Sequence, residues 1–198
     1  MAQYFDNNVE TKENRKNIKI KFKDKVYNFV TDSAVFSKDK LDYGTKLLLE
    51  TITKNKIEGN VLDLGCGYGP VGIILKDIYE NIDVDMVDIT DRAVTLSKNN
   101  AKSNNINANI YISNIYENVS HKFDYIITNP PIRAGKEIIR KFLFEANDHL
   151  NEEGQLWFVM RKDHGVKTMI KELETIYKVN IEDKDKGFYI VKCKKSNN

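Results

Sequence analysis

The residues best suited to chemistry in this 198-residue chain are a glycine-rich stretch and an asparagine followed by two prolines. The first, VLDLGCGYGPVG, runs from Val61 to Gly72, and the second, TNPPI, runs from Thr128 to Ile132. Glycines let a loop approach a nucleoside closely because they lack a Cβ and tolerate positive φ. An asparagine side-chain oxygen can accept a hydrogen bond from an amine. Together the two stretches indicate a nucleoside-binding loop and a site that can orient an N–H group.

The glycine stretch contains two overlapping patterns that imply different ligands. The dinucleotide pattern G-x-G-x-x-G and the pattern G-x-G-x-G fall, respectively, at Gly67, Gly69 and Gly72 and at Gly65, Gly67 and Gly69. In a dinucleotide fold the first glycine follows the strand directly, and counting from Gly65 puts the third on Pro70. Asp63 would repel a pyrophosphate, whereas it suits S-adenosylmethionine, which carries a sulfonium and an amino group and no phosphate. We therefore expect the frame that starts at Gly65, and the match at Gly72 to be accidental.

Strand and helix patterns alternate along most of the chain. The alternation of IKIKFKDKVYNFV predicts an N-terminal β-hairpin with one wet, basic face. The patterns that follow predict a helix over 41–54, a strand over 60–64, a helix over 70–78, a strand over 82–89, a helix over 91–103, strands over 108–112 and 123–128, a helix over 136–150, a strand over 155–160, a helix over 166–177 and a strand over 187–193. This alternation indicates an α/β fold, with a mostly parallel sheet and helices on both faces.

In such a sheet the ligand lies beyond the carboxyl ends of the strands. The candidate contacts for a cofactor are the residues there, namely Asp63, Leu64, Gly65, Cys66, Gly67, Gly69, Asp88, Ile89, Ser113, Asn114 and Asn129. Asp88 can accept from both ribose hydroxyls of S-adenosylmethionine or of NAD, or it can cap the next helix, for which Thr90 and Asp91 are better placed. Asn114 can pair with an adenine edge or occupy an ordinary turn. Cys66 is interpreted as a small loop residue and not as a nucleophile.

Composition narrows the class of protein. No apolar run approaches the roughly 20 residues of a membrane helix, and the N-terminus lacks a secretory pattern, so we expect a cytoplasmic protein that does not contact membranes. The two cysteines and three histidines have no ligand spacing, so we expect no metal site. The net charge is only +2, but cations cluster between Lys12 and Lys25, either as a solvated strand face or as a phosphate-contacting edge. We expect one domain over 1–198, with a hairpin extension over 1–35 and a catalytic core over 36–198; the oligomeric state stays open.

The glycine stretch, the acidic strand end at Asp88 and TNPPI together resemble class I S-adenosylmethionine-dependent methyltransferases. The closer resemblance is to the methyltransferase small family, which includes enzymes that methylate guanine N2 of 16S ribosomal RNA and archaeal single-domain relatives. It is carried by TDSAVFSKDKLDYGTKLLLE and ITNPPIRAGKE. The resemblance implies a Rossmann-like, mostly parallel seven-stranded sheet, S-adenosylmethionine as cofactor, and ribosomal RNA or the small ribosomal subunit as partner. It also implies that Lys40, Asp42 and Thr45 lie near the methionine end of the cofactor, and that Asn114 stands where the family usually has an aspartate.

The TNPPI stretch predicts how an exocyclic amine would be activated. The side-chain oxygen of Asn129 and the backbone carbonyl of Pro130 can each accept one N–H, which points the nitrogen lone pair at the methyl donor. Pro130 and Pro131 hold the loop rigid and remove backbone donors. The fourth residue, Ile132, is apolar but not aromatic, which weighs against the adenine and glutamine targets of related enzymes and toward RNA guanine.

Other residues are predicted to contact the substrate. Phe36, or Tyr4 and Phe5, could stack on a flipped base, and Arg133 and Lys136 could touch the RNA backbone. The leading hypothesis is an N-methyltransferase acting on guanine N2 of 16S ribosomal RNA. The alternatives are methylation of adenine N6 in DNA or RNA or of a protein glutamine, and a non-catalytic RNA-binding module with a vestigial pocket.

Overall fold

The computed structural model describes residues 14–32 and 40–195. The first two strands, β1 (Arg15–Phe22) and β2 (Lys25–Asp32), pair antiparallel as the predicted hairpin. The other strands are β3 (Gly59–Leu64), β4 (Ile82–Asp88), β5 (Asn109–Ile112), β6 (Phe123–Thr128), β7 (Leu150–Arg161), β8 (Tyr177–Asp185) and β9 (Phe188–Lys195). The α-helices are α1 (Tyr43–Ile52), α2 (Pro70–Ile78), α3 (Asp91–Ser103), α4 (Lys136–Phe144), α5 (Ala146–His149) and α6 (Val166–Leu173).

The seven strands from β3 to β9 form one sheet in the order β5-β4-β3-β6-β7-β9-β8. The strands β3 to β7 run parallel, while β9 is antiparallel to both β7 and β8. The chain order reverses between β3 and β6, so the loops after these strands diverge there and leave a crevice. The predicted fold class, a Rossmann-like and mostly parallel seven-stranded sheet with an N-terminal hairpin, is confirmed.

Both faces of the sheet are buried, as a parallel sheet requires. Neighbouring residues of β3 alternate between the two sides: Val61 packs with α1, α2, α3 and the hairpin, whereas Leu62 packs with α4, α5 and α6. Both side chains have no exposed surface. The helices therefore divide into two sets of three, and the polar strand ends emerge between them along one edge.

Two predicted helices end earlier in the structure than the pattern indicated. The helix expected over 136–150 breaks after Phe144 and again after His149, because Leu150 begins β7 and pairs with Phe123. The helix expected over 166–177 ends at Leu173, and Tyr177–Asp185 is the strand β8, for which no strand was predicted. This strand lies at the edge of the sheet and carries five charged residues, so its apolar alternation is weak.

The hairpin docks on α3 through two asparagines one helical turn apart. Asn100 accepts from the Val30 N–H (2.8 Å) and donates to the Val30 carbonyl (2.9 Å). Asn104 makes the same pair of bonds with Asn28, at 3.1 and 2.7 Å. These side chains satisfy the edge of β2 as a neighbouring strand would. An ion pair between Arg92 and the buried Asp32 (2.5 Å) joins the same two elements.

Candidate active site

The loop after β3 adopts the frame that starts at Gly65. Gly65, Gly67 and Gly69 have φ values of 74°, 58° and 93°, which residues with a Cβ rarely adopt. The N–H groups of Gly65 and Cys66 both donate to the Val87 carbonyl at 2.9 Å, so the loop is tied to the neighbouring strand β4. The backbone thus turns sharply at the carboxyl end of the sheet, as a close approach to a nucleoside requires.

Gly72 has a structural purpose in helix packing, and the prediction that the dinucleotide frame ending at Gly72 is accidental stays a prediction. It lies inside α2, where a Cβ would come within 2.7 Å of the Met86 side chain. Its absent side chain lets the helix pack closely on β4. Its N–H donates to Asp63 Oδ2 at 2.8 Å, which fixes the first turn of α2 against β3. The ligand frame still begins at Gly65, because Gly72 itself lies within the helix.

Helix α3 holds the glycine loop from the other side. Ser97 donates to the Gly67 carbonyl at 2.9 Å, and Asn100 donates its second N–H to the Tyr68 carbonyl at 2.8 Å. Asn100 is fully buried, and its two N–H groups and its oxygen are all bonded, to the hairpin and to this loop. One side chain therefore connects the hairpin to the loop, a contact that sequence spacing gave no reason to predict.

The strand ends line a shallow cleft at the carboxyl edge of the sheet. Its lining includes six of the predicted cofactor contacts: Leu64, Gly65, Asp88, Ile89, Ser113 and Asn114. It also includes Val87, Ile115 and Phe142, which the sequence analysis missed. Phe142 comes from α4, and its ring lies 3.1 Å from where a Cβ on Gly65 would stand. Its only sequence signal was its place on the apolar face of α4, which any core residue shares.

Asp88 lies in this cleft and orders both loops beside it. Its Oδ2 accepts from the Gly67 N–H at 3.0 Å, and its Oδ1 accepts from the Thr90 N–H at 3.2 Å. Burial raises the pKa of Asp88, although these hydrogen bonds oppose that shift. The cap of α3 is Thr90, whose hydroxyl accepts from the Ala93 N–H at 3.2 Å. Asp88 is therefore not the helix cap, and its position in the cleft leaves the ribose interpretation standing.

Other predicted contacts are engaged within the protein itself. The Ser113 hydroxyl donates to the Ile115 carbonyl (2.9 Å) and accepts from the Asn118 N–H (3.1 Å), so it shapes the turn after β5 and has no spare hydrogen. Asn114 is exposed at the rim of the cleft. Cys66 is buried with its Sγ 3.5 Å from the Ser97 hydroxyl. Burial raises the pKa of the Cys66 thiol well above its usual value, which fits the interpretation that it is not a nucleophile.

Asn129 is held by the cap and by the first turn of α1, more than 80 positions away in the chain. Its Nδ2 donates to Asp42 Oδ2 at 3.0 Å and to Thr45 Oγ1 at 2.9 Å. A carboxylate can only accept, so the amide nitrogen must face Asp42 and the amide oxygen must face away. Asp42 Oδ2 also accepts from the Thr45 N–H at 3.0 Å and so caps α1. The start of this helix therefore fixes which atom Asn129 presents.

The remainder of the TNPPI loop lies close to the core. Pro130 is buried, and among the described residues no backbone N–H donates to its carbonyl. Pro131 accepts from the Ala134 N–H at 3.0 Å, which closes a single 3-10 turn over Ile132–Ala134. Ile132 packs partly against the core, so only part of its side chain is open to solvent.

The predicted substrate contacts are placed unequally. Arg133 is exposed one residue after the TNPPI motif. Lys136 is exposed but forms an ion pair with Glu172 at 3.4 Å, so a carboxylate already engages it. Lys40 is exposed two residues before Asp42. Phe36, Tyr4 and Phe5 lie outside the described residues, and their stacking role stays a prediction.

Charge at the site favours a cationic nucleoside over a dinucleotide. Among the described residues, the lining of the cleft contains the carboxylate of Asp88 and no lysine or arginine that could neutralise a pyrophosphate. Asp63 lies directly behind the glycine loop, 3% exposed, and burial raises its pKa to about 7. A cation nearby would favour its ionised form, whereas a phosphate would oppose it. The residues present therefore fit S-adenosylmethionine, and the NAD alternative loses support.

The model of the methyltransferase small domain family matches residues 26–192 of the chain. The uncharacterized protein YbxB of Bacillus subtilis is 38% identical over 196 residues, covering 97% of this chain and 98% of that protein. Ribosomal RNA small subunit methyltransferase C of Haemophilus influenzae is 39% identical over 129 residues, covering 63% of this chain and 39% of the enzyme. The chain therefore spans about two-fifths of the length of this ribosomal RNA enzyme.

Solved structures share the fold at low sequence identity. The 16S rRNA N2 methyltransferase RsmC of T. thermophilus, in complex with AdoMet and guanosine, has a TM-score of 0.83 at 22% identity, covering 92% of this chain and 51% of that one. A methyltransferase from Pyrococcus furiosus has a TM-score of 0.64 at 24% identity, covering 76% of this chain and 81% of that one. These likenesses are evidence for the architecture alone.

Proposed function

The chain belongs to the methyltransferase small domain family, and from this membership we propose that it is an S-adenosylmethionine-dependent N-methyltransferase acting on guanine N2 of 16S ribosomal RNA. The single observation that carries the proposal is the fixed orientation of Asn129. Its amide nitrogen is bound by Asp42 and Thr45, and its oxygen has no donor among the described residues. An oxygen held in this way is an acceptor prepared for an incoming N–H.

The residues that would hold the cofactor are those of the cleft and the glycine loop. In this proposal Asp88 would accept from the ribose hydroxyls and the backbone at Gly65 and Gly67 would approach the nucleoside closely. The Asp63 carboxylate would stabilise the positive charge of the amino acid moiety. Asn114 at the rim is available for the adenine amino group. When bound, S-adenosylmethionine supplies an electrophilic methyl group carried on a sulfonium.

The task of the chain is to orient a poor nucleophile. The lone pair of an exocyclic amine is delocalised into its base, so the nitrogen must become more tetrahedral before it can react. Asn129 Oδ1 and the Pro130 carbonyl each accept one N–H and turn the lone pair out of the base plane. The two acceptors are fixed before the substrate arrives, so little reorganisation is required. The spare proton can depart to solvent after transfer, because the methylated nitrogen is then acidic.

The choice of RNA as substrate class is supported by the relatives. The Haemophilus influenzae enzyme bears the name of a small-subunit ribosomal RNA methyltransferase, and its matched segment covers 63% of this chain. Ile132 weighs in the same direction, because it lacks the aromatic ring that related adenine and glutamine methyltransferases usually carry at this position.

The proposal is tested by methyl transfer from labelled S-adenosylmethionine to three substrates: protein-free 16S ribosomal RNA, isolated small ribosomal subunits and transfer RNA. We expect label in one of the first two, and N2-methylguanosine in the nucleoside mass spectrum of the product. The matched control is Asn129→Ala, which should bind the cofactor and transfer label at least about 100-fold more slowly.

The outcomes separate the alternatives. N6-methyladenosine, or label in protein glutamine, would replace guanine as the target while keeping the reaction class. A wild-type protein that shows no cofactor binding by calorimetry and labels none of the three RNAs would be the non-catalytic module instead. Mapping the methyl group in RNA from a deletion strain against wild type then identifies the nucleotide.

A further inference from the structure

The N-terminal hairpin has one face committed to packing and one face open to solvent. Ile20, Phe22, Tyr27 and Phe29 point inward and are at most 4% exposed. On the other face, Lys19 stands opposite Asn28 and Lys21 opposite Val26, and all four side chains are exposed. Lys23 extends this surface at the turn. We call Lys19, Lys21, Lys23, Val26 and Asn28 the outer face.

Positive charge is concentrated on this small element. Residues 15–32 contain six cations and two carboxylates, a net charge of +4, whereas the whole chain carries +2, so the other residues sum to −2. One of the carboxylates, Asp32, is buried against Arg92 and does not neutralise the surface. The hairpin is therefore a positively charged element on a protein whose other residues carry a slight net negative charge.

The lysines of the outer face form no ion pair with a carboxylate of the described residues. Lys25, which points elsewhere, is neutralised by Asp77 at 2.5 Å. Within residues 14–32 and 40–195, no carboxylate lies within ion-pair distance of Lys19, Lys21 or Lys23. Lysines that only keep a protein soluble need not lie along one face. Three lysines aligned on one face can contact successive phosphates of a polyanion.

The outer face is also held at a fixed position relative to the active site. Asn100 bonds both the Val30 backbone of the hairpin and the Tyr68 carbonyl of the glycine loop. Asn104 adds a second attachment at Asn28. A polyanion bound on the outer face would thus be held at a fixed position relative to the glycine loop, because α3 contacts both.

We propose that the outer face binds the phosphate backbone of the RNA substrate and so adds a docking surface outside the catalytic cleft. This proposal rests on the proposed function for its choice of RNA. A lysine contact with phosphate carries no sequence information, so the surface would strengthen binding and set orientation while Asn129 and its loop act on the base. The outer face would then add affinity for RNA beyond that of the catalytic cleft.

The test replaces three lysines at once, with a variant of equal charge as control. The variant K19Q/K21Q/K23Q is compared with K167Q/K171Q/K178Q, whose exposed lysines lie on α6 and β8, away from the hairpin. The probes are protein-free 16S ribosomal RNA and a mixed-sequence RNA 30-mer, followed by fluorescence anisotropy from 50 to 300 mM KCl. Cofactor affinity by calorimetry reports whether the fold and the loop are intact.

We expect the hairpin variant to bind both RNAs about a hundredfold more weakly near 0.1 M salt, with a slope of log K against log[KCl] that is shallower by about 2. The control should change less than threefold, and cofactor affinity should stay the same in both. Equal losses in the two triple variants, or an unchanged slope in the hairpin variant, would overturn the proposal. So would binding to phosphatidylserine vesicles that depends on these lysines while RNA binding does not.

The failure of this proposal is distinguishable from failure of the proposed function, because binding and methyl transfer are measured separately. If the wild type methylates RNA and the hairpin variant keeps the wild-type KM for RNA, the docking surface is wrong and the function stands. If the wild type binds RNA through the hairpin yet methylates none of the three RNAs, the surface stands and the function is wrong.

Discussion

Replacing Asp42 by alanine should disable turnover through Asn129, although Asp42 need not touch the substrate. Asp42 Oδ2 accepts from Asn129 Nδ2 (3.0 Å) and from the Thr45 N–H (3.0 Å), so one carboxylate both orients the Asn129 amide and caps α1. A hydrogen bond to a charged group contributes about 1.5–3 kcal/mol. Without this hydrogen bond the Asn129 amide can rotate away from its oriented state. Loss of the same ~1.5–3 kcal/mol of stabilisation from the oriented state lowers kcat about 10- to 150-fold.

The loss of the helix cap has a second, smaller effect, which is on the free energy of unfolding. Removing an N-cap side chain costs about 1 kcal/mol of stability, so the Asp42→Ala protein should remain folded. Asp42→Asn should recover the cap fully and turnover partly, because asparagine caps equally well but is an uncharged acceptor. Thr51→Val is the matched control: Thr51 lies on the same helix and donates to the Leu47 carbonyl at 2.8 Å without contacting Asn129. It should lose similar stability and keep its turnover.

The assay is single-turnover methylation of the RNA, with calorimetry for the cofactor and urea unfolding for stability. We expect kcat to fall while the Kd for S-adenosylmethionine changes less than threefold. A cofactor Kd that weakens in parallel with kcat would show that Asp42 binds the cofactor directly. Unchanged turnover would refute the argument that Asp42 sets the orientation of Asn129.

Three further predictions concern other parts of the site. Asn129→Ala should lower kcat at least about 100-fold, as loss of one preorganised polar contact commonly does, with cofactor affinity by calorimetry nearly unchanged; a large loss of affinity would assign it to cofactor packing. Because burial raises the pKa of Asp63 to about 7, cofactor affinity should fall by up to about tenfold from pH 7 to pH 6 as the carboxylate is protonated, and Asp63→Asn, which keeps an acceptor for Gly72, should abolish that dependence. Because the pKa of Asp63 is raised from 3.8 in the unfolded chain to about 7 in the folded protein, the stability that the bound proton provides is complete below about pH 4 and is lost as the pH rises to about 7. The wild type should therefore lose stability relative to Asp63→Asn between about pH 4 and pH 7 in thermal unfolding, with little further change above that range. Asn100→Ala should cost about 2–4 kcal/mol in urea unfolding and weaken cofactor binding, because it strands buried groups of the hairpin and the glycine loop, whereas Asn104→Ala, which does not touch the loop, should leave cofactor affinity unchanged.

Local signals were sufficient for the elements that frame the cleft. The observed bounds of α2 and α3 coincide with the predicted ones, because Pro70 suits the first turn of a helix and Thr90 supplies a side-chain cap. The hairpin was equally predictable from the sequence, because its apolar and basic residues alternate with a period of two. In each case the information lies within a few residues of the boundary, where propensity and capping act.

Local signals failed where the partner of a segment lies far along the chain. The strand β8 is mostly polar and forms only because β9 offers it an edge, through a tight turn at Lys186 and Gly187 with positive φ at both. Leu150 looked like the end of an apolar helical stripe but was recruited into the sheet opposite Phe123. Propensity is a weak prior that pairing of this kind overrides.

The sequence by itself determined the residue types at the strand ends. The carboxylate at Asp63, the glycines that follow it, Asp88 and Asn129 were enough to indicate a cationic nucleoside and an amine acceptor. What they touch was decided only by the tertiary structure. Asp63 binds the Gly72 N–H, and Asn129 takes its orientation from Asp42 and Thr45.

The physical reason is that a residue type fixes which hydrogen bonds are possible, while the fold fixes which of them are made. An isolated asparagine presents its oxygen and its nitrogen with equal ease, and nothing near position 129 in the chain distinguishes them. Folding brings a carboxylate from 87 residues away to within 3.0 Å of the nitrogen. That contact directs the oxygen outward, and so converts a side chain that could accept an amine into one that is held ready to do so.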